Sequence, residues 1–124
     1  MDKFRILIVD DSRIFRQVLR EGLQESFPTI AIDEATNEGE ALQKVDLSPP
    51  NLILLDIRLL GENGIELAKK IKATHSNIPV FILTGYDIPE YREVALRYGA
   101  DGFLIKSSLS RMKLEELVKS YQEV

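Results

Sequence analysis

The stretch that most constrains the fold runs from Asn51 to Asp56, where four consecutive aliphatic residues, Leu52, Ile53, Leu54 and Leu55, lead straight into a carboxylate. An apolar run without polar alternation reads as a strand covered on both faces, and that arrangement needs helices on either side of a sheet. Asp56 then stands where a buried strand surfaces. Three other apolar runs end in the same way: Arg5 to Val9 in Asp10 and Asp11, Val80 to Leu83 in Thr84, and Gly102 to Ile105 in Lys106. If the strands are parallel, these polar groups gather at one carboxyl edge, where open α/β sheets bind their ligands.

Along the chain, strand-like and helical periods alternate. Phe4 to Val9 is followed by a helix from about Ser12 to Glu25, with Phe15, Val18, Leu19 and Leu23 on one face. Phe27-Pro28 breaks it, and Thr29 to Ala35 returns to strand with Ile30 and Ile32 on one side. Asn37, with Glu40 three residues on, caps a helix that buries Ala41, Leu42 and Val45 and ends at Ser48-Pro49-Pro50. After the central strand, Gly61 to Gly64 reads as a turn, and Asn63 caps a helix burying Leu67, Ala68 and Ile71. Ile78 to Thr84 is strand. Asp87 and Pro89 open a fourth helix with Tyr91, Val94, Ala95 and Tyr98, closed by Gly99. Phe103 to Ile105 is a short strand, and Leu114, Leu117, Val118 and Tyr121 mark a last amphipathic helix.

Five β-α units with right-handed crossovers predict a doubly wound five-stranded parallel sheet with five helices, an α/β class of flavodoxin-like type. Asp10 and Asp56 share a site only if the first and third strands are neighbours, which selects the order 2-1-3-4-5. The 124 residues are read as one domain, 1–124. A net charge of -4 gives no pull toward nucleic acid or an anionic membrane, and the absence of Cys excludes thiolate chemistry. No apolar stretch reaches the length of a membrane span and only Met1, Asp2 and Lys3 precede the first strand, so the expected location is cytoplasmic.

Three carboxylates at one sheet edge repel one another, and without a cation at least one is pushed toward protonation. A hard divalent ion such as Mg²⁺ removes the conflict, because it takes oxygen ligands, needs few carboxylates and completes its shell with water and phosphate oxygens. Lys106 offers a compact positive charge and Thr84 a hydroxyl, the two groups that a phosphoryl on Asp56 would need. A carboxylate can attack phosphorus to give an aspartyl phosphate. Taken singly, an Asp at a strand end also serves as a turn former or cap, Thr84-Gly85 as ordinary loop and Lys106 as a solvated charge. Jointly, four strand ends of five carry what a metal-phosphoryl site requires.

With Val9-Asp10-Asp11, Leu54-Leu55-Asp56 and Gly64 eight residues on, Leu83-Thr84-Gly85, and Gly99-Ala100-Asp101-Gly102-Phe103 leading to Lys106, the chain resembles a response regulator receiver domain of two-component signalling over essentially its whole length. The resemblance implies that Asp56 is the phosphoacceptor, that Asp10, Asp11, Asp56 and the backbone carbonyl of Arg58 hold Mg²⁺, and that Thr84 and Lys106 engage the phosphoryl group. It implies a switch pair of Thr84 and Phe103, phosphate-lifetime modulators at Arg58 and Tyr86, and a sensor histidine kinase or phosphotransfer protein as donor. The output face is the fourth helix, fifth strand and fifth helix, where Tyr98 and the Leu114 to Tyr121 helix are placed, together with a homodimer or a C-terminal DNA-binding effector. In such a switch the chain is no enzyme beyond its own phosphorylation and dephosphorylation.

Several positions depart from the family pattern. Leu59-Leu60 replaces Met-Pro, Ser107 replaces a proline that often follows a cis bond, which leaves that loop's geometry open, and Phe103 replaces the commoner Tyr. Ser107 also resembles receivers joined to helix-turn-helix effectors. His75, the only histidine, reads as a surface residue. Two other classes fit some of these residues. A haloacid-dehalogenase-type phosphatase would want an Asp where Arg58 stands and more chain for a cap, and a non-catalytic adaptor would keep the fold without taking phosphate. No Gly-x-Gly-x-x-Gly turn or Walker loop supports nucleotide binding.

Overall fold

Leu52, Ile53, Leu54 and Leu55 have no exposed surface at all, as a strand at the centre of a two-faced sheet requires. The computed structural model describes residues 3–59 and 62–122. Their order is β1 (Arg5–Val9), α1 (Arg13–Ser26), β2 (Ala31–Ala35), α2 (Glu38–Leu47), β3 (Leu52–Asp56), β4 (Arg58–Leu59), β5 (Glu62–Asn63), α3 (Gly64–Thr74), β6 (Val80–Thr84), α4 (Pro89–Arg97), β7 (Gly102–Ile105), a 3₁₀ turn (Lys106–Ser108) and α5 (Arg111–Gln122). The main sheet is parallel in the order β2-β1-β3-β6-β7. Counting only its own strands, this is the expected 2-1-3-4-5.

Alternation along the strands divides the core in two. Leu7, Val9, Ile53, Leu55, Val80 and Ile82 face α2, α3 and α4, where Ala41, Val45, Leu67, Ala68, Ile71 and Ala95 meet them. Ile6, Ile8, Leu52, Leu54 and Leu83 face α1 and α5, against Leu19, Leu23, Leu114 and Val118. Each fully buried Leu or Ile contributes about 1.5–3 kcal/mol relative to exposure, so the central strand alone anchors both layers.

The helix starts follow local chemistry. Ser12 Oγ accepts from the Phe15 N–H at 3.2 Å, Asn37 Oδ1 from Glu40 N–H at 2.9 Å and Asn63 Oδ1 from Ile65 N–H at 2.8 Å. Glu40 reaches back to the Thr36 N–H at 2.8 Å, which closes the capping box one residue earlier than its usual form. Gly99 ends α4 with φ +99°, a conformation that side chains with a Cβ avoid.

Some expectations are corrected. Val18 is 62% exposed, because it lies about 100° around the helix from Leu19 and clears the sheet. Asp87 does not cap α4: the N-cap position is Ile88 with no side-chain cap, Pro89 starts the helix, and Asp87 instead lies 3.8 Å from Arg92. Tyr98 does not belong to the α4, β7 and α5 face; it packs toward α3, with Lys69 Nζ 5.0 Å from its ring. The second strand begins at Ala31, two residues later than read. The segment after Asp56 is more than a turn, since Arg58–Leu59 and Glu62–Asn63 pair as a small antiparallel hairpin. Leu60 and Gly61, which belong to the expected departure and turn there, lie outside the described residues. Around Ser107 no peptide is cis, and Lys106–Ser108 forms the 3₁₀ turn. His75 is half-buried at the end of α3, beside Asp46.

Gly64 is a consequence of close packing. A Cβ there would overlap the Asp56 carbonyl and stand 2.9 Å from the Ile57 Cα, and backbone at a strand end cannot swing aside. Gly64→Ala should therefore lower the urea midpoint by the equivalent of about 1–3 kcal/mol and shift the Asp56 amide resonance; wild-type values for both would contradict this packing.

Candidate functional site: an acidic pocket at the carboxyl edge of the sheet

Strand register assembles the site. Val9 pairs with Leu55, Asp56 with Leu83, and Thr84 with Ile105, so Asp10, Asp56, Thr84 and Lys106 emerge side by side from four strands. Asp10 and Thr84 are wholly buried, Asp56 is 6% exposed, and Asp11 is exposed at the rim. One carboxylate oxygen from each of Asp10, Asp11 and Asp56 lies within 4.8 Å of the others. Trans ligands of one Mg²⁺ are about 4.2 Å apart, so this donor set fits a single hard cation with a small closure.

The local bonds hold the acids in place. Asp10 Oδ1 accepts from the Ser12 N–H at 2.8 Å, and its Oδ2 accepts from Lys106 Nζ at 2.8 Å. Lys106 Nζ lies 3.6 Å from Asp56 Oδ2 and 4.2 Å from the centre of the Phe15 ring. Among the described residues, Asp56 Oδ1 accepts one long bond, 3.3 Å, from the Arg58 N–H. Thr84 Oγ1 accepts from the Tyr86 N–H at 3.1 Å. Burial and then the neighbouring Asp10 charge push the Asp56 carboxyl up to about 6, with Lys106 only partly offsetting them. The pocket therefore carries an electrostatic deficit that one more positive charge would relieve.

Every strand-end residue singled out in the sequence comes together here. Phe103 lies outside the pocket, half-buried on β7 beneath Arg92, whose Cζ is 5.4 Å from the ring centroid. Arg58 and Tyr86 flank the mouth, the guanidinium stacked 4.5 Å from the tyrosine ring. Sequence reasoning missed Arg16, whose Nη1 donates to the Asp10 carbonyl at 2.6 Å and whose Nε donates to Glu34 at 2.9 Å. An arginine in the first turn of a helix that directly follows Asp-Asp was the available signal. Ser12, expected at the helix start, also fixes the Asp10 side chain through its N–H.

A doubly wound α/β domain with an acidic, lysine-bearing pocket at its carboxyl edge is thus defined. The family model of the response regulator receiver domain matches residues 6–120, and the chain belongs to that family, the receiver module of response regulators in two-component signalling. It is 34% identical to the response regulator MprA of Mycobacterium leprae over 114 residues, covering 92% of this chain and 47% of that protein. A CheY-like receiver domain protein of Methanospirillum hungatei aligns with a TM-score of 0.87 at 29% identity, over 98% of this chain and 96% of the other. A response regulator of Burkholderia pseudomallei, solved with a phosphorylated aspartic acid, calcium ion and citrate, aligns with a TM-score of 0.83 at 27% identity over 98% of this chain and 70% of that one. The chain spans less than half the length of the curated relatives it matches. No described helix is long and apolar enough to cross a membrane.

The raised Asp56 carboxyl has a definite stability signature. Without divalent ions the folded state keeps this proton up to about pH 6, whereas the unfolded chain loses it near its ordinary 3.8. The folded form thus binds more protons across that window, and its contribution to stability falls as pH rises from about 4 to 6. Asp56→Asn should remove this decline and be more stable than wild type at pH 7 by on the order of 1–3 kcal/mol in urea unfolding. Equal stabilities at pH 7 would contradict the strained carboxylate.

Proposed function

We propose that this domain is a phosphorylation switch in which Asp56 accepts a phosphoryl group from a partner histidine kinase or phosphotransfer protein. The observation that carries the reading is the juxtaposition of a nearly buried, poorly hydrogen-bonded Asp56 with Asp10, Asp11, Thr84 and Lys106. A carboxylate oxygen of Asp56 attacks phosphorus, and the bond from phosphorus to the donor's imidazole nitrogen breaks, the electron pair leaving with the imidazole. Asp10, Asp11, Asp56 and the Arg58 carbonyl are the residues that would hold Mg²⁺. When bound, the ion neutralises the charge that accumulates on the transferred oxygens. Lys106, already 3.6 Å from Asp56, pairs with the product anion, and the Thr84 hydroxyl, at the end of the neighbouring strand, donates to it. That a related response regulator has been solved with a phosphorylated aspartic acid and a calcium ion supports this chemistry.

The added charge of roughly -1.5 to -2 draws Thr84 inward, and the space it leaves is available to the half-buried Phe103. The face formed by α4, β7 and α5 changes with it and carries the output to an effector or a second copy. A coupling of about 1–3 kcal/mol is sufficient to shift that population without refolding the domain. With net charge -4, direct contact with DNA falls to an attached effector rather than to this domain, and the greater length of the curated relatives supports such an attachment. In this role the domain acts on no substrate but its own phosphoryl group.

Acetyl phosphate with Mg²⁺ should add one phosphoryl group to the wild-type protein, as read by intact mass. Asp56→Asn should gain none, and Lys106→Ala should gain it more slowly; an adduct on Asp56→Asn at the wild-type rate would sink the assignment of Asp56, and no adduct on the wild type would favour a non-phosphorylated adaptor. Arg58→Ala should change the rate at which the adduct is lost, and an unchanged rate removes Arg58 from the lifetime modulators.

A further inference from the structure

Both polar groups of the Asp10 backbone are tied to the last two residues of β2. The Asp10 N–H donates to the Ala35 carbonyl at 3.1 Å, continuing the register in which Val9 pairs with Ala35. Its carbonyl, past the end of β1, accepts from Arg16 Nη1 at 2.6 Å, and Arg16 Nε donates to the Glu34 carboxylate at 2.9 Å. The arginine side chain is only 11% exposed. Glu34 is held in turn by Arg20 through its other carboxylate oxygen and by Lys44 through its backbone carbonyl. One planar guanidinium thus bridges a backbone carbonyl and a carboxylate at fixed geometry, which the single ammonium of a lysine cannot reproduce.

The clamp bears most on Asp11. Asp10 is wholly buried with its carboxylate fixed by Ser12 and Lys106, and Asp56 ends a fully packed strand. Asp11 is exposed at the rim, and its carboxylate has no hydrogen-bond or ion-pair partner among the described residues; even so, one of its oxygens lies within 4.8 Å of those of the other two acids. Repulsion among three carboxylates favours swinging Asp11 out into water, so its backbone must keep it in place. A trans peptide is planar, and clamping the Asp10 carbonyl therefore also sets the direction in which the chain enters Asp11. We propose that Arg16, oriented by Glu34, is a positioning residue for the cation site, holding Asp11 in range of Asp10 and Asp56 without touching the ion or the phosphoryl group. This rests on the reading of the pocket as the Mg²⁺ and phosphoryl site.

The test titrates Mg²⁺ into wild type, Arg16→Met, Arg16→Lys, Glu34→Gln and the α2 core variant Val45→Ala, followed by backbone amide NMR. Both Arg16 variants should bind Mg²⁺ about tenfold more weakly, the low end of what losing an outer partner of a metal ligand costs. Glu34→Gln should bind it about two- to fivefold more weakly, the range of a partly exposed ion pair. Val45→Ala, which loses only buried apolar contact, should bind as wild type does. Phosphorylation by acetyl phosphate should need about tenfold more Mg²⁺ for half-maximal rate in Arg16→Met, with a plateau within about twofold of wild type. Wild-type affinity in Arg16→Met, its restoration by Arg16→Lys, an equal loss in Val45→Ala, or a lowered plateau at unchanged half-saturation overturns the proposal. The metal-free protein gives a further readout: the Asp10 carbonyl carbon resonance should move upfield in Arg16→Met as its hydrogen bond is lost, and an unchanged resonance overturns the proposal. If Arg16→Met does not fold, Glu34→Gln decides, and wild-type affinity there overturns the proposal. If wild type shows no Mg²⁺-dependent shifts at Asp10, Asp11 and Asp56, the cation reading of the pocket fails instead, and the carbonyl resonance decides the clamp.

Discussion

Two buried carboxylates share one edge of the sheet with a single lysine, and the rest of the site is arranged around that imbalance. Asp10 takes the lysine at 2.8 Å, so Asp56 is left with a more distant cation and one long backbone bond. Burying a charge is costly unless it is paired. A pocket that leaves one acid underpaired is poised for a partner that arrives later. Oxygen-liganded magnesium and a phosphoryl group are partners of the right charge and chemistry, and the register of four parallel strands brings their candidate ligands to one point.

The same strands explain why the pocket can be rigid and the surface around it responsive. Asp10, Asp56 and Thr84 hang from strands whose apolar side chains are buried except for the half-buried Phe81, and their positions are set by close packing on both faces. In contrast, the first turn of α4 has no side-chain cap, Ala95 is the buried residue of that helix, and Arg92 lies 5.4 Å from the centre of the Phe103 ring. Local stability is lowest where few buried contacts fasten the backbone. The pocket thus has a stiff floor and a more loosely fastened wall.

Much of this was legible in the sequence because it rests on strong local signals. Four aliphatic residues ending in Asp56, repeated at other strand ends, specified the sheet and the site, and Ser12, Asn37 and Asn63 marked helix starts by short-range hydrogen bonds. The misreadings fall where the deciding contact is long-range. Val18 fits the helical period but sits at its margin, and only the distance to the sheet shows that it is exposed. Asp87 has the chemistry of a cap, but Pro89 sets the helix start one residue too late for it. Tyr98 turns toward Lys69 with no signature in nearby sequence, and Arg16, which reaches the Asp10 carbonyl, is marked only by its place in the first turn of the helix after Asp-Asp.

The central claim is that Asp56 is an underpaired acid completed by a cation. Following the side-chain carboxyl carbon of Asp56 by NMR across pH, with and without magnesium, tests it most directly. The account predicts a midpoint near 6 in the metal-free protein that falls into the ordinary carboxylate range or below when magnesium is present. A metal-free midpoint already near 4, or one that magnesium leaves where it was, would contradict it.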